Sequence, residues 1–270
     1  MNPERSIPFA KYHGAGNDFI LLDNRNGECL FSGEEVARLC HRRFGIGADG
    51  LMLLEESAIS DFRMVYYNAD GGISTLCGNG SRCIVAFAAR LGLVKDAQTF
   101  FEAADGLHRA RLLPDGLVAL DMADVESISP HNDGVFLDTG SPHWVVWTDD
   151  VRQAAVQAEG RRIRNEARFA PGGTNVNFVA RNANCELQVR TYERGVEDET
   201  LSCGTGVTAA AIAAAGKETG HFDFKIQTPG GMLRVQFQKN SPDKAEKVCL
   251  TGPAQWVFSG TIRLADAFYS

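Results

Sequence analysis

Cys77-Gly78-Asn79-Gly80 and Cys203-Gly204-Thr205-Gly206 are two copies of one short stretch, 126 residues apart. A run of helix-forming residues follows each, over 81–90 and over 207–217. The spacing predicts, in both copies, a cysteine just ahead of a helix N-terminus, on a turn whose glycines let backbone N–H groups face outward. N–H groups at a helix start lack intrahelical partners and carry the positive end of the helix dipole. Such a place stabilises a thiolate and attracts an anion, and a thiol there titrates at about 3.5–7.5. One such cysteine is a candidate nucleophile or base. Two in matching contexts form a candidate pair.

The same offset extends outward from the two stretches. It sets Asn17 against His143, Gly47 against Gly173 and Asp49 against Asn175. A two-fold repeat with so long a period predicts two similar domains rather than a solenoid, and a cleft between such domains is a natural small-molecule site. Strands are expected over 8–12, 19–23, 51–54, 62–67, 98–102, 108–113 and 116–122 in the first copy. In the second they are expected over 135–138, 144–147, 174–180, 185–192, 222–228, 232–239, 247–251 and 254–264. Ser32 with Glu34 and Glu35 after it reads as the start of a helix over 33–43, and 150–160 as a charged helix. The pattern is α+β, many short strands with one long helix per repeat.

Composition narrows the function. The chain has 270 residues, 44% hydrophobic and 23% charged, with a net charge of -7. No Lys/Arg stripe is present, which argues against nucleic acid and anionic membranes as partners. The first residues lack the basic and apolar regions of a secretory signal, and no apolar run reaches membrane length. A cytoplasmic protein is expected, with its seven cysteines kept as thiols. Cys29, Cys40, Cys83, Cys185 and Cys249 read as plain buried or strand cysteines. No Cys/His cluster has zinc spacing, so no metal is expected. Gly45-Ile46-Gly47-Ala48-Asp49-Gly50 is glycine-rich but lacks the spacing and ending of a phosphate loop.

Two equivalent acid/base groups on two domains suit the inversion of a stereocentre: one removes a proton from carbon and the other returns one to the opposite face. A thiol/thiolate pair fits, since both forms are accessible near neutral pH. The proton beside an amino-acid carboxylate is only weakly acidic, so the developing charge needs stabilisation. N–H groups at Gly78, Asn79, Gly204 and Thr205 would supply it. Asn17, Asn68, Asn175 and Arg194 can bind carboxylate, and Glu193 an ammonium.

These residues belong to a series of motifs. In order they are Gly14-Ala15-Gly16-Asn17-Asp18-Phe19, Gly45-Ile46-Gly47-Ala48-Asp49, Asn68-Ala69-Asp70-Gly71, Cys77-Gly78-Asn79-Gly80-Ser81-Arg82-Cys83, Pro142-His143, Asn175, Tyr192-Glu193-Arg194-Gly195 and Cys203-Gly204-Thr205-Gly206. Over essentially the whole chain they resemble the diaminopimelate epimerase family. The resemblance implies a cofactor-independent epimerase interconverting LL- and meso-2,6-diaminoheptanedioate, with Cys77 and Cys203 as the two bases. It implies that Asn17, Asn68, Asn175 and Arg194 hold the substrate, Arg194 on its distal carboxylate, with Glu193 and His143 beside the reacting centre. It also implies a homodimer and two domains, each a strand-rich barrel-like layer around a central helix. Their expected limits are 1–120 with the returning segment 254–270, and 121–253. Gly50, Ser141 and the loop 195–200, one residue longer than usual, depart from the family pattern.

Three rivals compete. A proline or hydroxyproline racemase would share the two cysteines but has no distal amino-acid end for Glu193 and Arg194 to hold. A redox switch joining Cys77 to Cys203 leaves the asparagines, Glu193 and Arg194 without a task, and a binding module that kept the site without turnover would bind ligand without solvent exchange.

Overall fold

The computed structural model describes residues 6–182 and 186–263. Cys185 and position 264, the expected ends of two strands, lie outside the described residues, as do 1–5 and 265–270 of the returning segment. The chain divides into two units, Met1–Leu120 with Pro253–Ser270, and Asp121–Gly252.

The first half opens with β1 (Ser6–Gly14) and β2 (Asn17–Asp23), antiparallel about a turn in which Ala15 and Gly16 both take positive φ. Helix α1 (Gly33–Cys40) carries the chain over to β3 (Gly50–Glu55), parallel to β2. Antiparallel β4 (Phe62–Asn68) and β5 (Ile73–Ser74) lead to α2 (Gly78–Arg90). Then β6 (Gln98–Ala103) pairs parallel with β4, and β7 (Gly106–Leu112) and β8 (Val118–Asp121) continue antiparallel.

The second half repeats this order. After β9 (Ile128–His131) come β10 (Gly134–Asp138), β11 (Pro142–Trp147), α3 (Val156–Arg164), β12 (Asn175–Arg181), β13 (Leu187–Glu193) and β14 (Asp198–Thr200). Helix α4 (Gly204–Ala214) follows, then β15 (Gly220–Thr228), β16 (Gly231–Lys239) and β17 (Glu246–Gly252). The strand pairings alternate between antiparallel and parallel in the same sequence as in the first half. The last strand, β18 (Gln255–Arg263), pairs antiparallel with β1, as β9 does with β10.

Burial explains the layering. Phe19-Ile20-Leu21-Leu22 and Leu51-Met52-Leu53-Leu54 are buried without a polar interruption, the mark of strands covered on both faces. Ile20, Leu22, Leu51 and Leu53 pack with Val36, Leu39 and Cys40 of α1. The alternate residues Phe19 and Met52 lie against Gly80 of α2. In the second unit Trp144, Val176, Phe178 and Tyr192 pack with Val156 and Ile163 of α3, while α4 lies against β10 to β13, β15 and β16. Helix α4 is buried nearly all round, from Gly204 and Gly206 to Ala213, as a helix at the centre of a strand-rich layer must be. The fold is α+β, a strand-rich layer around a central helix in each unit.

Two helices depart from expectation. Helix α1 stops at Cys40 rather than at position 43, because His41 turns extended and the chain folds back, with Gly47 N–H on Leu39 C=O and Ala48 N–H on Cys40 C=O. Arg42, released from the helix, pairs with Asp18 and Asp49. The charged segment from Asp150 splits into a single 3-10 turn, Val151–Gln153, closed by the Asp150 side chain, and then α3. No helix among the described residues is long and apolar enough to cross a membrane.

Candidate active site

Each cysteine stands directly ahead of a central helix, Cys77 before α2 and Cys203 before α4, in extended backbone, and neither side chain caps its helix. The first helical bonds run from Ser81 N–H to Cys77 C=O at 2.7 Å and from Val207 N–H to Cys203 C=O at 2.9 Å. The N–H groups between lie outside the helical ladder and present the positive end of the dipole beside each sulfur.

In the first unit Cys77 Sγ donates to Asn17 Oδ1 at 3.6 Å, and Asn79 Nδ2 donates to the same oxygen at 3.3 Å. Asn17 Nδ2 is committed to Asp49 Oδ2 at 2.7 Å, which fixes the amide with its oxygen toward Cys77. Arg42 holds Asp49 at 2.6 Å and grips both oxygens of Asp18. Burial raises the Asp18 carboxyl, but hydrogen bonds from Arg42 and Lys11 prevail and bring it down to about 2. On the other side Arg82 Nη2 donates to Asn79 Oδ1 at 2.7 Å, and its remaining bonds go to the Gly78 and Pro253 carbonyls. Arg82 is wholly buried, which lowers its pKa to about 10 and still leaves a cation at neutral pH.

In the second unit Cys203 Sγ lies 3.4 Å from Thr205 Oγ1, which lies 3.4 Å from Ser141 Oγ. Ser141 Oγ is 3.0 Å from His143 Nε2 and accepts from Asn175 Nδ2 at 3.2 Å. Asn175 also donates to Pro142 C=O at 2.9 Å and accepts from Arg194 N–H at 2.8 Å. On the far side of the ring, His143 Nδ1 is 3.0 Å from Asn177 Nδ2. Burial, then the nearby Arg194 charge, push His143 down to about 3 against the pull of its bond with Asn177, which favours a neutral imidazole.

Of the residues expected at the site, Asn17, Gly78 and Asn79 gather at Cys77, and His143, Asn175, Gly204 and Thr205 at Cys203. Glu193 ends β13, where its carboxylate accepts from Thr200 Oγ1 at 2.8 Å. The Arg194 backbone joins the Asn175 network, and its exposed guanidinium has no carboxylate partner among the described residues. Asn68 takes no part in the Cys77 network. It is exposed at the end of β4, where its backbone closes the turn with Gly71 and Gly72. By contrast, burial pushes the Cys40 thiol up to about 12 and the Cys83 thiol higher still, so both are chemically quiet.

The departures from the family pattern have local reasons. A Cβ on Gly50 would meet the Tyr66 ring and the Tyr67 carbonyl, both at 2.6 Å. Ser141 is a junction of three side chains. The longer loop closes through positive φ at Gly195 and Glu197, with Glu197 paired to Arg164 of α3. Sequence reasoning passed over Asn177 and Thr191, and gave Asp49 and Arg82 a place in the motifs but no task. Asn177 had a signal, since it stands two residues from Asn175 on one strand and therefore shares its face.

Comparison with known proteins agrees with the geometry. The family model described as diaminopimelate epimerase matches residues 9–128 and 135–257, one stretch per repeat. The diaminopimelate epimerase of Flavobacterium psychrophilum is 49% identical over 258 residues, 93% of this chain and 98% of its own length. That of Chlorobaculum tepidum is 43% identical over 262 residues, 93% of this chain and 99% of its own. Two solved structures share the fold at low identity. A PhzF-family phenazine biosynthesis protein of Bacillus anthracis has a TM-score of 0.74 at 15% identity, over 96% of this chain and 99% of its own. A hydroxyproline epimerase of Agrobacterium vitis has a TM-score of 0.67 at 17% identity, over 97% and 94%. By the family match along both repeats and by its close relatives, this chain belongs to the diaminopimelate epimerase family.

Proposed function

We propose that this chain is an isomerase that interconverts LL- and meso-2,6-diaminoheptanedioate, a step toward lysine and peptidoglycan precursors, with Cys77 and Cys203 as its two bases and no cofactor. The observation that supports this reading most is the repeated placement of one cysteine at the start of one buried helix in each unit. One sulfur, as thiolate, takes the proton from the α-carbon, and the electron pair it leaves moves into the adjacent carboxylate. The other sulfur, as thiol, returns a proton to the opposite face. One C–H bond breaks, one forms, and the two sulfurs exchange protonation states, so the reverse reaction starts from the other sulfur.

The N–H groups of Gly78, Asn79, Gly204 and Thr205 are assigned to the carboxylate on which charge develops. Asn17 orients Cys77, offering an acceptor that suits its thiol form. Asn68, Asn175 and Arg194 are assigned to holding the substrate, Arg194 on its distal carboxylate, and Glu193 to a place beside the reacting centre. The exposed guanidinium of Arg194, without a carboxylate partner among the described residues, supports its place on the distal carboxylate. His143, neutral and buried, serves beside Cys203. We further infer a cytoplasmic homodimer, for which light scattering of the purified protein would have to give twice the mass of one chain.

The test is proton exchange in deuterated water with reduced protein and no added cofactor, following the α-proton by NMR. LL-diaminopimelate should take up deuterium as meso product appears, and L-proline should not react. Cys77→Ala and Cys203→Ala should each lower epimerisation by about a thousandfold, within the 10²–10⁴-fold range of general acid–base catalysis. Absence of exchange from fully reduced protein would overturn the reading.

A further inference from the structure

The polar chain beside Cys203 has a direction that its partners determine. Asn177 Nδ2 faces two acceptors, His143 Nδ1 at 3.0 Å and the Trp144 carbonyl at 3.4 Å. Its Oδ1 accepts from Thr191 Oγ1 at 2.9 Å. The Trp144 carbonyl can only accept, so the nitrogen of the Asn177 amide must stand on that side, and His143 Nδ1 receives a proton rather than holding one. A neutral imidazole whose Nδ1 accepts carries its hydrogen on Nε2. That hydrogen is directed at Ser141 Oγ. Asn175 Nδ2 donates to the same oxygen, and its own orientation is settled by the Pro142 carbonyl and the Arg194 N–H. With two donors already on it, Ser141 Oγ sends its proton to Thr205 Oγ1, and Thr205 sends its own to Cys203 Sγ.

We infer that Asn177 is a positioning residue: by selecting the Nε2–H tautomer of His143 it orients the relay Ser141–Thr205 so that a hydroxyl hydrogen is directed at Cys203 Sγ. A donor facing sulfur favours the thiolate over the thiol. The inference rests on Cys203 being one of the two bases. The titratable groups around the relay are His143 and Cys203 themselves, with Glu193 and Arg194 at the end of β13. Burial, and after it Arg194, disfavours a charge on His143, so the ring stays neutral and the direction of the relay holds through the working pH range.

The experiment needs no turnover, so its failure is separable from failure of the proposed substrate. The tautomer of His143 is read by ¹⁵N NMR, with His143→Gln assigning the signal. The pH profile of Cys203 is read by iodoacetamide labelling, with peptide mass spectrometry reporting Cys77 separately as the internal control. The native protein should show the Nε2–H form. Asn177→Asp sets an acceptor against Nδ1, so the hydrogen should move to Nδ1. The labelling midpoint of Cys203 should then rise by about one pH unit, roughly tenfold slower labelling below it, with Cys77 unmoved. Thr205→Val should give the same shift without changing the tautomer, and Thr205→Ser should restore the native profile; this pair carries the test if Asn177→Asp fails to fold. An Nδ1–H tautomer in the native protein, or a Cys203 midpoint unmoved by Thr205→Val, would overturn the inference.

Discussion

At the scale of single residues, matching glycines in the two central helices have unequal surroundings. A Cβ on Gly206 would stand 2.4 Å from Asn177 Oδ1 and 3.2 Å from Cys203 Cβ. On Gly80 the nearest atom would be the terminal methyl of Met52, at 1.9 Å. A methionine end is flexible and swings aside, and alanine gains helix propensity over glycine. Gly80→Ala should therefore change stability by no more than about 1 kcal/mol and leave most of the activity. Gly206→Ala should displace Asn177 and Cys203 together and lower kcat by about 100-fold, the usual scale for an ångström of misplacement. Urea unfolding and steady-state kinetics on the two variants check both outcomes. Equal losses would mean that the Asn177 contact has no bearing on the chemistry.

At the scale of elements, a few side chains decide where helices begin and end. Ser32 and Glu35 form a reciprocal capping box on α1, with Glu35 N–H on Ser32 Oγ at 3.2 Å and Ser32 N–H on Glu35 Oε2 at 2.7 Å. Ser32→Ala should cost about 1 kcal/mol, read as a lower urea midpoint with unchanged kinetics, because α1 packs on the face of β2 and β3 away from Cys77. The cap was legible from local chemistry alone. The end of α1 was not, since Arg42 leaves the helical path for carboxylates at positions 18 and 49 that sequence proximity does not announce.

At the scale of the whole molecule, acid should be the first stress to act. The Asp18 carboxyl sits at about 2 in the folded protein, against about 3.9 in an unfolded chain. Its contribution is complete above about pH 4 and is lost as pH falls through the folded value. His143 is held down at about 3, against about 6.5 when unfolded. The unfolded chain therefore takes up a proton that the folded ring refuses, and stability declines below about pH 6.5. Both slopes have the same sign. Unfolding midpoints measured across this range should fall with acid. His143→Gln should flatten the upper part of the curve and Asp18→Asn the part below about pH 4. A second test at this scale concerns β18, which pairs with β1 from Ser6↔Arg263 to His13↔Gln255. Ending the chain at Gly252 uncovers that edge of β1. Limited proteolysis should then cut within 6–120 while 121–252 stays protected.

The sequence by itself determined the repeat, the two cysteines at their helix starts and the family. These rest on local chemistry and on identity between two stretches of one chain, which need no coordinates to be seen. Asn17, Asn79, His143, Asn175 and Thr205 were legible for the same reason, each standing in a motif or opposite its counterpart. Only the tertiary structure decided which way the polar chains run. Asn177 on β12, Thr191 on β13, the Trp144 carbonyl within β11 and Ser141 just ahead of it come together only in the fold, and the direction of a hydrogen bond depends on every partner an atom has. The separation of Asn68 from the Cys77 network and the burial that keeps His143 neutral were likewise settled by packing, because solvent exposure is a property of the folded surface and not of the residue.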